Sequence, residues 1–316
     1  EVGADRLVFG ATNIDSSTQI NTKLKVQYEF SDHLKATYTA GLWDLQSQND
    51  VQSYLKDAVG NSIYNGNIVI NGAQYTSAAT TPTLPSMAPL KSDVLHIMQS
   101  ADLKKDSKDF FDWQFTLSNY DYKKDISNAS YKSSTDSTNT NPYIVRNGRL
   151  TDQNGTGWTT FDARATLRPK DHTIDIGYHI DAYQLRTTTN STDDWTINQK
   201  GTLVTTSNGN TQTQAIYIQD KWQFSPLWSL TLGGREEYWE AYKGSNYNSA
   251  NTPTLTNYSD KSDTKFSPKL SLNFEPVPAW GFRAAFGKAY RFPTVTELYQ
   301  QLTTTDFQAI QNNPNL

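Results

Sequence analysis

Asp175, His179 and Asp181 are the residues whose types and spacing could most directly do chemistry. In an extended chain successive side chains point to opposite faces, so these three odd-numbered residues share one side. Two carboxylates and an imidazole on one face could hold a metal ion. The simpler reading is a polar wall whose charges are satisfied by other protein groups. Four arginines, Arg164, Arg168, Arg235 and Arg283, also fall on polar faces of alternating segments and read first as wall charges. The other histidines are His33, His96 and His172, and there is no cysteine. A disulfide framework and a thiolate metal site are therefore excluded. No Gly-x-Ser-x-Gly elbow, phosphate loop or His-Glu-x-x-His pair occurs, so no catalytic residues are assigned and the chain reads as a non-enzyme with no cofactor.

The elements that must carry these residues are strands. Ile174, Ile176, Tyr178, Ile180 and Ala182 alternate with Thr173, Asp175, Gly177, His179 and Asp181, giving one apolar and one wet face. The pattern recurs in Leu24–Phe30, Leu34–Leu42, Phe111–Leu117, Phe161–Leu167, Phe266–Phe274 and Trp280–Phe286. The run around Ile216–Phe224 places Asp220 on its apolar face, and Val94–Leu103 shows no decisive face. About ten strands are predicted, over 19–30, 34–45, 92–104, 109–123, 157–168, 172–187, 211–224, 228–243, 264–275 and 279–290.

Their connections alternate in length. Short ones at Ser31–His33, Lys105–Lys108, Pro169–Asp171, Ser225–Leu227 and Pro276–Pro278 separate long ones at 46–91, 124–156, 188–210, 244–263 and 291 onward. Long loops all at one end are unusual for a soluble domain but expected of an outer-membrane barrel, with its short periplasmic turns and long extracellular loops. Phe30, Phe224, Trp228, Phe274 and Trp280 lie beside the short turns, as an interface girdle would. In the first long loop two Asn-Gly pairs bracket Ile68–Ile70 and predict a small hairpin on the rim.

The bulk numbers agree with this reading. Only 36% of residues are hydrophobic, and no run approaches the roughly 18 apolar residues of a membrane helix. A barrel strand needs apolar side chains on one face only, so low hydrophobicity does not exclude it. A net charge of −4 without a basic block argues against nucleic acid.

One segment is more specific. Phe266–Leu316 runs through Ser267-Pro268-Lys269, then Tyr290-Arg291-Phe292-Pro293-Thr294, then Glu297-Leu298-Tyr299, and ends in Asn313-Pro314-Asn315-Leu316. It resembles the TonB-dependent outer-membrane receptors, whose corresponding box is close to Phe-Arg-Ala-Pro-Thr, and Phe292 departs from the small residue usual there. Ala215–Trp222 followed by Leu230–Arg235 resembles a second hairpin of that family, which tolerates an acid at the position of Asp220. The resemblance implies an all-β, antiparallel transmembrane barrel, of which these are about ten strands of about 22 around a plugged lumen. Residues 1–316 are then a partial barrel domain, with the plug and closing strands absent and no signal peptide at Glu1–Gly10.

The same resemblance implies a function. The receptor sits in the cell outer membrane of a Gram-negative bacterium as a monomer among outer-membrane lipid. It takes up a scarce ligand, first a ferric siderophore, and is energised through the plug by a TonB-type inner-membrane complex. Arg291 and Glu297 would shape the last loop, and Tyr242, Tyr247 and Tyr258 are the candidate ligand-binding residues on the loops. Haem-uptake members place a ligand histidine between the two motifs, and residues 294–312 contain none, so haem ranks second. The alternatives are a passive porin or autotransporter barrel, or a soluble all-β binding module.

Overall fold

The computed structural model describes residues 8–64, 68–70, 73–75, 88–130, 141–144, 146–249, 253–303, 309–311 and 313–316. The strands are β1 (Gly10–Ser31), β2 (Leu34–Ser53), β3 (Ile68–Ile70), β4 (Ala73–Tyr75), β5 (Leu90–Lys105), β6 (Phe111–Ser130), β7 (Gly148–Asp152), β8 (Gly157–Leu167), β9 (His172–Thr192) and β10 (Leu203–Ser225). They continue with β11 (Trp228–Asn248), β12 (Thr254–Asn257), β13 (Lys261–Val277), β14 (Trp280–Gly287), β15 (Gln301–Thr303) and β16 (Ala309–Gln311), and one short helix, α1, covers Val295–Tyr299.

Twelve strands form one antiparallel sheet in the order β1-β2-β5-β6-β7-β9-β10-β11-β13-β14, with β8 between β6 and β9 and β12 on β11. β7 and β8 pair with the same two neighbours and make one interrupted stave, as β12 and β13 do against β11. The sheet therefore has the ten staves that alternation predicts. It is a partial barrel wall: β1 and β14 end the order and do not pair with each other.

Most staves are longer than predicted, while β14, at Trp280–Gly287, is shorter than the predicted 279–290. β10 has 23 residues and β9 has 21, whereas about 9–11 tilted residues cross the hydrocarbon. The excess lies at the long-loop end, in Thr187-Thr188-Thr189-Asn190-Ser191-Thr192 and Thr205-Thr206-Ser207-Asn208, which pair with each other. There both faces carry polar side chains, so the alternation vanishes while the backbone ladder continues. The predicted loop 188–210 shrinks to 193–202, and β7 and β12 lie inside the predicted loops 124–156 and 244–263.

Faces follow from register. Tyr38 pairs with Ala101, Ala36 with Leu103 and Leu42 with Ile97, so β5 does have an outward apolar face. Gln99 interrupts it and is satisfied by the Tyr38 hydroxyl, which donates to Gln99 Oε1 at 2.8 Å. Outward-facing Ile216, Ile218, Phe266 and Phe286 are all more than half exposed, as a lipid-facing band would be. Asp220 sits on that face and is paired with His172 Nδ1 at 2.8 Å. Next to the short turns, Trp228 stacks on Phe274 at 4.2 Å and Trp280 on Phe282 at 6.3 Å, a continuous aromatic band. The rim hairpin exists as β3 and β4, with Ile70 opposite Ala73; the connecting Asn71-Gly72 lies outside the described residues.

Candidate functional site

The inward faces hold three groups of side chains. The first is the predicted acid and histidine set. His179 Nδ1 lies 2.7 Å from Asp162 Oδ1 and its Nε2 lies 2.8 Å from Asp181 Oδ2. Both ring nitrogens are used by carboxylates, and Asp175 is occupied separately by the Thr166 hydroxyl at 2.5 Å. The three residues do not converge on one point, and no group of His, Asp or Glu among the described residues is arranged to hold a metal. The arginines are also held within the wall. Arg164 donates to Gln114, Arg168 to Asp112, Arg235 to Glu237 and Arg283 to Ser271, at 3.1, 2.6, 2.9 and 3.0 Å.

The second group is built by the motif Tyr290–Tyr299. Thr294 caps α1: its hydroxyl accepts from the Glu297 amide, and the Glu297 carboxylate accepts from the Thr294 amide at 2.9 Å. This reciprocal pairing satisfies donors that a helix start would leave open. Arg291 closes an ion pair on the same carboxylate. The Arg291 guanidinium and then the Thr294 hydrogen bonds hold Glu297 down at about 2. Val295, Leu298 and Tyr299 are buried against Leu185, Trp239 and Ala241, residues on the inward faces of β9 and β11. Phe292 stacks on Trp239 at 5.7 Å with planes 1° apart. Phe292, unusual for its position in the box, thus serves as a packing surface. Tyr299 passes between Gly209 and Gly244, where an added Cβ would lie 2.2 and 2.3 Å from its ring. Gln301 N donates to Ser207 Oγ at 2.9 Å, and Lys261 donates to the Pro314 carbonyl. Of the final motif, Asn313 and Asn315 form a local turn, Asn315 N donating to Asn313 Oδ1 at 2.9 Å, and Leu316 is exposed.

The three tyrosines do not come together. Tyr258 stacks on Tyr299 at 5.5 Å and its hydroxyl accepts from Asn246 at 3.3 Å, so it joins the packed motif. Tyr242 lies opposite Asn210 on the outward side of the β10–β11 hairpin, and Tyr247 is opposite Thr206 and Leu255 at the open end, far from the turn that joins β10 to β11.

The third group was not legible as a site in the sequence. Trp43, His96, Tyr120, Trp158 and Tyr183 occupy inward positions on consecutive staves, roughly ten residues from the short-turn end of each. Trp43 meets His96 edge-on at 5.0 Å, His96 stacks on Tyr122 at 3.8 Å, and Tyr120 stacks on Trp158 at 4.3 Å with planes 2° apart. Trp158 and Tyr183 are 6.1 Å apart. His96 is buried and engages Tyr120 Oη through Nδ1 and Asp125 Oδ2 through Nε2, each at 3.0 Å. The available signal was an aromatic on the wet face at the far end of each strand.

Two of the long connections are tied to each other and to the end of β2, as a cap at the long-loop end. Trp195 is buried and donates through Nε1 to the Pro142 carbonyl at 2.9 Å. The Tyr143 hydroxyl accepts from the Val51 amide at 3.0 Å, and Arg146 pairs with Asp194 at 3.1 Å.

Comparison with known proteins places this wall. The ferric citrate transporter FecA, in its unliganded form, matches with a TM-score of 0.55 at 12% identity, covering 86% of this chain and 36% of that one. FpvAI in complex with pyocin S2 matches with a TM-score of 0.53 at 12% identity, over 87% of this chain and 36% of that one. At such identity the likeness is one of fold, and the chain spans about a third of the length of these structures. No curated protein matches the chain in sequence. The model of the family described as TonB dependent receptor-like, beta-barrel, matches residues 42–316. The chain therefore belongs to the TonB-dependent receptor family, as part of its β-barrel.

Proposed function

We propose that this chain is part of the wall of an outer-membrane receptor that takes up a scarce ligand, a ferric siderophore, by TonB-energised transport. The observation that carries the reading is the family match over 42–316. The transporter FecA, similar in fold, handles ferric citrate. The inward faces suit a barrel filled by a plug: their arginines and carboxylates are held in place by wall partners and present an ordered polar surface. Loops bind the ligand, occupancy reaches the plug, and the inner-membrane complex pulls on the plug to release the ligand inward. The barrel needs no covalent chemistry. The receptor works as a monomer. Arg291 and Glu297 shape the last loop, and Tyr247 and Tyr258 contribute to the ligand-facing loops, whereas Tyr242 is turned to the outer surface.

The test is uptake of radiolabelled ferric siderophores by iron-starved cells with the full-length gene deleted and then restored. Uptake should fall on deletion, return on complementation and stop when a protonophore collapses the inner-membrane gradient. Uptake that survives the protonophore overturns active transport in favour of a passive channel.

A further inference from the structure

An unpaired acid interrupts the lipid-facing band on β11. A row of paired outward residues crosses six staves as Phe115, Ala163, Tyr178, Ile216, Glu236 and Phe266, and Glu236 is its single charged member. Asp220, lower on the same face, is taken by His172. The Glu236 carboxylate is exposed and has no partner among the described residues. Glu240, further along β11 on the same face, is unpaired as well. An ionisable side chain on a lipid-facing surface costs free energy unless something pairs with it. Glu236 stands roughly eight residues above Trp228 and its short turn, where about 9–11 tilted residues cross the hydrocarbon. Its carboxylate therefore lies just inside the long-loop interface, within reach of lipid headgroups.

Below Glu236 runs an apolar groove of about 760 Å³. Ile216 and Ile218 line one side, Phe266 and Phe286 the other, and Gly234 and Pro268 the floor. Gly234 gives the groove its shape: an added Cβ would stand 2.7 Å from Phe266 Cζ, so the ring leans onto the sheet where a side chain would otherwise be. The one cation bounding the groove, Lys269, points the other way and donates to Gln219 Oε1 at 3.0 Å on the inward face. The groove is thus apolar along its length and acidic at its upper rim.

These features select an occupant. An open apolar groove that ends at the interface fits an acyl chain. A carboxylate at its mouth favours a cation over a bare phosphate. A primary ammonium brings both charge and N–H donors, and such charge-assisted hydrogen bonds are the strong ones. We propose that β10, β11, β13 and β14 hold one membrane lipid with a primary ammonium headgroup, its chain in the groove and its ammonium on Glu236. The site rests on the outward face meeting membrane and is independent of what the receptor transports.

The test uses purified full-length receptor in detergent micelles with equal amounts of phosphatidylethanolamine, phosphatidylcholine and phosphatidylglycerol bearing the same acyl chains. Native mass spectrometry reads which lipid stays bound, and a heat-modifiable band on a cold gel shows that each variant is folded. Phosphatidylcholine keeps the positive charge without an N–H donor, and phosphatidylglycerol has no cation. The native receptor should retain one phosphatidylethanolamine about fivefold over either, the upper worth of one exposed ion pair. Glu236→Gln keeps the shape and should bring phosphatidylethanolamine down to the phosphatidylcholine level. Gly234→Leu drives the Phe266 ring into the groove and should lower retention of all three. Equal retention of the three lipids by the native receptor overturns the site and leaves ordinary surrounding lipid. A preference that survives Glu236→Gln, or full retention in Gly234→Leu, overturns it too.

Discussion

At the scale of single residues, Tyr299 and Glu297 show how the motif works. The ring of Tyr299 fits only because Gly209 and Gly244 lack side chains. Gly209→Val should overpack the contact, costing about 1–3 kcal/mol and loosening α1 from the wall. Faster amide exchange over residues 295–301 with unchanged exchange in the lower strands would show it; uniform protection would refute the keying role. Glu297 makes a pH prediction. Its carboxyl is held at about 2, below its ordinary 4.5, chiefly by Arg291. A depressed acid stabilises above its unfolded value and loses that contribution as pH falls through the folded one. The capped loop should therefore keep its protection above about 4.5 and lose it towards 2. Glu297→Gln should show the looser loop already at neutral pH. A variant that matches the native protein at pH 7 removes the ion pair from the account.

At the scale of elements, what the sequence shows depends on which solvent each face meets. Ile174–Ala182 is legible because lipid demands an apolar side chain at every second position. Val94–Leu103 was not, because Gln99 faces outward and is rescued by Tyr38 from a neighbouring strand, a contact no local pattern contains. The upper parts of β9 and β10 read as loop in the sequence because their Thr, Ser and Asn residues carry no alternation. Thr294 and Glu297 carry the capping-box spacing in the sequence itself, whereas the row from Trp43 to Tyr183 depends on the register of five strands. The same long hairpins explain the cap. Trp195 joins the 193–202 connection to Pro142, and Tyr143 reaches Val51. Trp195→Ala removes a buried indole and its hydrogen bond, about 3–5 kcal/mol for such a truncation in a core. Limited proteolysis of the full-length receptor should then cut within 193–202 while the membrane-embedded staves survive. Resistance equal to the native receptor would mean the cap does not depend on Trp195.

At the scale of the molecule, the wall described here has two free edges. β1 and β14 end the strand order, and each offers one row of backbone donors and acceptors with no partner among the described strands. In water such edges invite pairing with other chains; in lipid each unsatisfied group costs several kcal/mol. Outward residues such as Ile216, Phe266 and Phe286 add a broad apolar surface that only lipid or detergent covers well. Ten staves are also fewer than the roughly 22 of plugged outer-membrane transporters. Residues 1–316 produced alone should therefore aggregate and should not give the heat-modifiable band of a closed barrel on a cold gel. The full-length receptor, carried through the same refolding, should give that band. If the isolated segment refolds into a protease-resistant, heat-modifiable species, its edges must close on each other or on a second copy, and the wall would then be a barrel in its own right.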